Sequence, residues 1–240
     1  MNSKEMNRAG DLSPDPRFFV SAVMFDLDGT LIDSVNVYFK VVQAVFRKLD
    51  LPPVSRAQIY AAVDDGQFKW ERVLPAELLA GRDDIVLRGM AAARQVYPEI
   101  FRRDVGFFEG VPELLAGIHA RGIKIGIVTA TPGDNMAEKE MLLAGNGVDE
   151  YIDTLVTNDD APLPKPAPDA VFECCRRLSV SPGQSLFVGD TSVDIRAGKA
   201  AGTMTAAVLT GFDSLETLQN DDPDVILNRV ADLEGMIAKI

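Results

Sequence analysis

The chain has 240 residues, 47% hydrophobic and 25% charged, which is enough length and apolar content for a sizeable buried core and excludes wholesale disorder. Lys and Arg number 24 against 36 Asp and Glu, a net charge of -12, so the chain lacks the basic footprint that binding a nucleic-acid polymer or an anionic membrane surface requires. Its single histidine and its two adjacent cysteines, Cys174 and Cys175, exclude a two-histidine metal centre, a CxxC pair and an ordinary structural disulfide, and they suit a reducing compartment.

Residues Met1 to Arg17 are polar, carry Pro14 and Pro16 and have no apolar h-region, so they read as a flexible tail and not as a signal peptide. No stretch approaches the roughly 20 apolar residues of a membrane span, and the expected location is the cytoplasm. Phe18 to Phe25 is a short apolar run that stops at Asp26, as a buried first strand emptying into a polar loop should. From Ser34 the period changes to a helical one through Tyr38, Val41, Val42, Val45, Phe46 and Leu49, ending before Pro52-Pro53. Ser55 with Gln58 forms a capping-box pattern, Pro75 can start a short helix, and Asp83 to Tyr97 reads as a longer one. Residues 35–108 are therefore expected to be all helical.

From Gly110 the texture alternates. A helix opened by Pro112 and closed by Gly122 carries His119 on its partly exposed side and leads to a strand, Ile123 to Val128, that ends at Thr129. A helix near Asn135 to Ala144 precedes a strand at Thr154 to Thr157, and a helix from Pro168 to Leu178 precedes a strand at Ser185 to Val188. Further units follow at Val193 to Ala201, Met204 to Leu209, Val225 to Leu227 and Val230 to Ile240. This alternation predicts βαβ units, right-handed crossovers and a parallel sheet covered on both faces, with ligands bound beyond the carboxyl ends of the strands.

The residues at those ends are Asp26-Leu27-Asp28-Gly29-Thr30, Thr129-Ala130-Thr131, Lys165 in Pro164-Lys165-Pro166, and Gly189-Asp190-Thr191-Ser192-Val193-Asp194. Taken singly, each has an ordinary structural reading. Asp28-Gly29 suits a polar turn, Asp190 a helix cap, Thr129 a β-branched strand end and Lys165 a solvated loop. Together they bring a carboxylate cluster, one cation, a hydroxyl and backbone amides to one crevice. Clustered carboxylates repel unless neutralised, and hard oxygen ligands suit Mg²⁺, so a metal is predicted.

These segments resemble the four motifs of the haloacid dehalogenase superfamily: Phe25 to Ser34, Val128-Thr129, Lys165 to Asp169 and Val188 to Asp194. Ala130 stands where many relatives have Asn, in a motif that mainly uses the Thr hydroxyl and a backbone amide. The resemblance runs from about Phe18 to the C-terminus, and the insert after the first motif is similar to the cap of the phosphoglycolate phosphatase-like and β-phosphoglucomutase-like branch. It implies an α/β fold, a Rossmann-like parallel core (18–34 and 109–240) behind a tail (1–17), with a small all-helical cap (35–108) inserted after the first strand.

The resemblance also assigns roles. Asp26 is the expected nucleophile, forming an aspartyl phosphate, and Asp28 the acid that protonates the leaving oxygen and then the base for water. Mg²⁺ is expected on an Asp26 oxygen, the Asp28 backbone carbonyl and Asp190, with Asp194 either behind these direct ligands or partly shared. Thr129, Lys165 and the amides of Leu27 and Ala130 would hold the phosphoryl oxygens. In the cap, Gly66, Lys69 and Arg72 lie where related caps dip a loop into the site, while Phe68, Trp70 and Val73 read as cap core. The expected activity is hydrolysis of a small phosphorylated metabolite, with phosphoglycolate the leading substrate. A sugar phosphomutase is the alternative within the family, disfavoured by Gly189 before Asp190 where mutases carry an acid. A non-enzymatic phosphoacceptor module is the alternative from another class.

Overall fold

In the computed structural model, which describes residues 17–64, 67–74 and 84–240, the apolar run after the tail divides at Ser21 into two strands. β1 (Phe18–Val20) alternates buried and exposed side chains, whereas β2 (Ala22–Phe25) is buried on both faces. β1 lies outside the main sheet in a parallel ribbon with a strand near the C-terminus, and only β2 enters the main sheet's centre. Arg17, expected in the tail, is drawn into the ribbon, its amide donating to the Met236 carbonyl at 2.9 Å.

The inserted segment opens with the helix Ser34–Lys48, capped by Asp33, whose carboxylate accepts from the Asn36 amide. The helix Arg56–Ala61 begins with the expected Ser55–Gln58 capping box. The expectation of an all-helical insert then fails locally, because β3 (Val63–Asp64) and β4 (Gln67–Phe68) pair as a short antiparallel hairpin. The helix Asp84–Asp104 continues through Pro98 beyond the expected end at Tyr97, since Ile100 and Phe101 are buried in the shared core and outweigh the backbone bond that Pro98 removes. Val42, Phe46, Val54, Ile59, Val73 and Ile85 form a separate apolar cluster inside the insert, with Phe68 and Trp70 packed against it.

The remaining strands are β5 (Lys124–Val128), β6 (Thr154–Val156), β7 (Ser185–Gly189), β8 (Met204–Val208) and β9 (Val225–Leu227). With β2 they form a six-stranded parallel sheet in the order β6-β5-β2-β7-β8-β9. Counted along the chain this is 3-2-1-4-5-6, the doubly wound order in which β2 stands at the topological switch point. The segment Val230 to Ile240 splits into a 3-10 turn, Val230–Leu233, and β10 (Ile237–Lys239), which is the partner of β1.

The two faces of β2 serve two cores. Val23 and Phe25 pack with Leu114, Leu115 and Ile118 of the helix Val111–Ala120, while Ala22 and Met24 pack with Val171, Cys174, Leu178 and Ala197 on the other side. Each fully buried Val, Met or Phe side chain contributes about 1.5–3 kcal/mol relative to exposure, which holds β2 rigid. Cys174 and Cys175 are buried free thiols, and burial pushes both above their ordinary range. Among the described residues no helix is long and apolar enough to cross a membrane.

Candidate active site

Sheet register brings the polar strand ends together. Phe25 pairs with Ile127 on one side and Val188 on the other, so Asp26, Thr129 and Asp190 emerge along one edge of the sheet. The chain turns sharply there, the Leu27 carbonyl accepting from both Leu31 and Ile32 at 3.0 Å, with Gly29 at φ 85°. A side chain on Gly29 would also run into the Asp190 carboxylate, 2.5 Å from its would-be Cβ.

Carboxylate oxygens of Asp26, Asp190 and Asp194 all lie within 4.8 Å of one another, and all three residues are buried. Each is held differently. Asp190 accepts from the Thr30 hydroxyl at 2.9 Å and from the Phe212 amide at 3.1 Å. One Asp194 oxygen closes a capping box with Thr191 at the start of the helix Ser192–Ala201, taking that residue's hydroxyl at 2.6 Å and its amide at 3.1 Å. The other Asp194 oxygen and Asp26 Oδ1 share the Lys165 ammonium, which lies 2.6 Å from both. Lys165 also donates to the Val128 carbonyl at 3.1 Å, so its buried side chain is fixed from three sides.

Burial pushes the Asp26 carboxyl up to about 7; the Asp194 and Asp28 carboxylates add to the effect, and Lys165 opposes it. Asp190 is raised well above its usual range by burial and then by the charges of Asp26 and Asp194. Burial alone would lower Lys165, but Asp194 and Asp26 overcome that and hold its ammonium above the usual range. Three buried carboxylates with one bonded lysine thus leave negative charge uncompensated in a confined site. A cluster of hard oxygen donors with that deficit fits a divalent cation such as Mg²⁺.

Asp28 is held apart from this cluster. One of its oxygens accepts from the ammonium of Lys139 and, at 3.2 Å, from the Thr131 hydroxyl. Its other oxygen, Oδ1, is buried and has no hydrogen-bond partner. Thr129 enters the same network, its hydroxyl donating to Thr131 Oγ1 at 3.1 Å. No protein acceptor among the described residues takes the amides of Leu27 or Ala130, which flank Asp26 and Thr129 in sequence.

Asp26, Asp28, Thr129, Lys165, Asp190 and Asp194 therefore lie together at the carboxyl end of the sheet. Lys69 and Arg72 lie in the inserted segment on either side of Trp70, within or beside the 3-10 turn Trp70–Arg72, and Gly66 lies outside the described residues. Among the described residues, Thr131, Lys139, Gly211 and Phe212 take part without a counterpart in the motif pattern. A Cβ on Gly211 would overlap the Asp190 carboxyl, so the loop after β8 reaches the cluster only with glycine there. Lys139 sits between two glutamates and looks solvated, yet it falls on the stripe of Met136 and Leu143, both buried, and that spacing is its one sequence signal.

A model of haloacid dehalogenase-like hydrolases matches residues 23–208. The chain is 33% identical over 225 residues to pyrophosphatase PpaX of Bacillus velezensis, covering 89% of this chain and 94% of that one. It is 30% identical over 234 residues to phosphoglycolate phosphatase of Shigella boydii, covering 89% and 91% respectively. A solved structure from Haemophilus somnus shares the fold with a TM-score of 0.74 at 22% identity, covering 90% of this chain and 96% of that one.

Proposed function

The chain belongs to the haloacid dehalogenase-like hydrolase family and to its phosphatases, and on that footing we propose that it hydrolyses a small phosphate monoester through an aspartyl phosphate on Asp26, with Mg²⁺ as cofactor. The observation that carries the proposal is the buried Asp26–Asp190–Asp194 cluster, paired with Lys165 at the carboxyl end of the central strand. Asp26, Asp190 and Asp194 would hold the cation, together with the Asp28 main-chain carbonyl. Once bound, Mg²⁺ supplies positive charge that screens the phosphoryl group from its carboxylate attacker.

The residues divide the work as follows. An Asp26 oxygen forms a bond to phosphorus as the ester oxygen leaves, and Asp28 delivers the proton that the leaving oxygen needs. Lys165, whose three donors are spent on Asp26, Asp194 and the Val128 carbonyl, supplies positive charge beside the phosphoryl group, and the unspent amides of Leu27 and Ala130 hold phosphoryl oxygens while charge shifts among them. Asp28 then takes a proton from water, whose oxygen attacks phosphorus, and the Asp26–phosphate bond breaks. Both aspartates return to their starting protonation states and inorganic phosphate departs. Thr129, whose hydroxyl bonds to Thr131, ties the phosphate-facing strand end to the network around Asp28.

Relatives named for pyrophosphate, a phosphoanhydride, and for phosphoglycolate, a monoester, align over 89% of this chain at 33% and 30% identity, so phosphoglycolate heads the substrate screen and pyrophosphate is its anhydride counterpart. The test is phosphate release from a panel of small phosphorylated metabolites, with and without chelator, by the wild type and Asp26→Asn. Release that needs Mg²⁺ and is abolished in Asp26→Asn supports the proposal. Equal rates in excess chelator, or full activity of Asp26→Asn, overturns it, and sugar-phosphate isomerisation without net phosphate release favours a mutase instead.

A further inference from the structure

Lys139 is a lysine where the fold offers no reason for a solvated one. It lies in the helix Ala137–Gly145, on the face that carries Met136 and Leu143 into the core, and only 2% of its surface is exposed. Burying an ammonium is strongly unfavourable unless it is paired and hydrogen-bonded, so its partners account for its presence. Those partners are Asp28 Oδ2 and, at 2.5 Å, Thr131 Oγ1. The Thr131 hydroxyl has an arranged direction: it accepts from Lys139 and from Thr129 and donates to Asp28 Oδ2 at 3.2 Å.

Two donors from different elements thus converge on one oxygen of Asp28. A carboxylate with one oxygen pinned in this way cannot rotate freely about its Cβ–Cγ bond, and the oxygen left over is Oδ1, buried and without a partner. We infer that Lys139 is a positioning residue for Asp28: with Thr131 it fixes Oδ2 and so presents Oδ1 as the oxygen that exchanges protons with the leaving group and with water. The inference rests on the assignment of Asp28 as acid and base in the proposed reaction. Lys139 itself touches neither phosphate nor Asp26 in this scheme. Its effect should therefore fall on turnover and not on capture of a phosphate-like ligand beside Asp26.

The test compares Lys139→Met and Thr131→Val with the wild type in steady-state hydrolysis of p-nitrophenyl phosphate with Mg²⁺, alongside inhibition by orthovanadate as a probe of the phosphoryl pocket. General acid–base catalysis is worth about 10²–10⁴-fold, so Lys139→Met is expected to lower kcat by roughly tenfold to a hundredfold, with KM and vanadate inhibition within about threefold of wild type. Thr131→Val should lose less, on the order of threefold to tenfold in kcat, and it carries the test alone if Lys139→Met does not fold. Wild-type kcat in the variants, or losses in kcat matched by equal losses in vanadate binding, overturns the inference, because a lysine that merely packs the helix would move both or neither. If the wild type hydrolyses phosphate esters and Asp26→Asn does not, while these variants keep full turnover, only the role of Lys139 fails. If Asp26→Asn stays active, the underlying mechanism fails as well.

Discussion

The Lys165 ammonium lies 2.6 Å from Asp26 Oδ1, joining a loop lysine to the end of the central strand across 139 residues of chain. Its second bond, to Asp194, is of equal length, so one cation holds two of the three clustered carboxylates apart and in place. Lys165→Met should therefore lower kcat/KM for phosphate release by about 10²–10³-fold, the usual loss when one electrostatic stabiliser of a transferring oxyanion is removed. Mg²⁺ should still bind, since the three carboxylates remain, and isothermal titration can verify that separately. A loss below tenfold would mean that Lys165 serves packing more than chemistry.

Gly189 sets how near Asp194 can come. A Cβ there would meet the Cβ and carboxyl group of Asp194 at distances that real atoms do not adopt. Gly189→Ala must therefore push Asp194 off Lys165 or strain the strand. Mg²⁺ affinity and kcat are expected to fall together, each by about tenfold or more, for a displacement of that kind near the reacting groups. Unchanged Mg²⁺ binding in a folded Gly189→Ala protein would show that Asp194 is dispensable to the cation.

Acid and metal should compete for the same cluster. In chelator-treated protein the Asp26 carboxyl is raised from 3.8 to about 7, first by burial, and Asp190 shifts in the same direction. The folded state then keeps a proton that the unfolded chain has already released. The resulting stabilisation is fully present below about pH 3.8 and is lost as pH rises through about 7. Melting temperature without metal should accordingly decline across that interval. Added Mg²⁺ should raise it little near the acid end and progressively more toward neutrality, as the ionised carboxylates become available to the cation. Thermal melts over a pH series, with Mg²⁺ and with chelator, give the answer directly; a Mg²⁺ effect that does not vary with pH would contradict it.

Much of this site is legible in the sequence because its chemistry sits at strand ends. Asp26, Asp190 and Thr129 close apolar runs, and Gly29 and Gly189 mark where the backbone must turn or admit a carboxylate. Lys139 is obscured by Glu138 and Glu140, which give its neighbourhood the look of a solvated face even though the helical period places it inward. Gly211 and Phe212 carry no local signal at all. They reach Asp190 only because β8 lies beside β7, a relationship set by crossover topology. The β1–β10 ribbon is hidden for the same reason: its pairing joins opposite ends of the chain, so nothing in Phe18–Val20 alone separates it from β2.

Phe212 links the carboxylate cluster to the inserted helices by two different parts of one residue. Its amide donates to Asp190 Oδ2 at 3.1 Å, while its ring meets Tyr38 at 5.8 Å and Tyr60 at 6.0 Å, edge to face. Tyr38 belongs to Ser34–Lys48 and Tyr60 to Arg56–Ala61, so the ring spans from the core loop to the insert. Substituting Phe212→Ala removes the ring and keeps the amide. Aromatic pairs of this geometry are worth about 0.5–1.5 kcal/mol each, so losing both is expected to loosen the insert against the core loop and raise KM by roughly fivefold to 150-fold. Mg²⁺ affinity should stay at the wild-type value because Asp190 keeps its donor. Gly211→Ala should behave in the opposite way, since its added carbon would strike the Asp190 carboxyl and weaken Mg²⁺ binding first. Kinetics and Mg²⁺ titration of the two neighbouring variants separate the roles: a Phe212→Ala protein that loses Mg²⁺ affinity but keeps its KM would mean that the ring supports the cluster and not the closure.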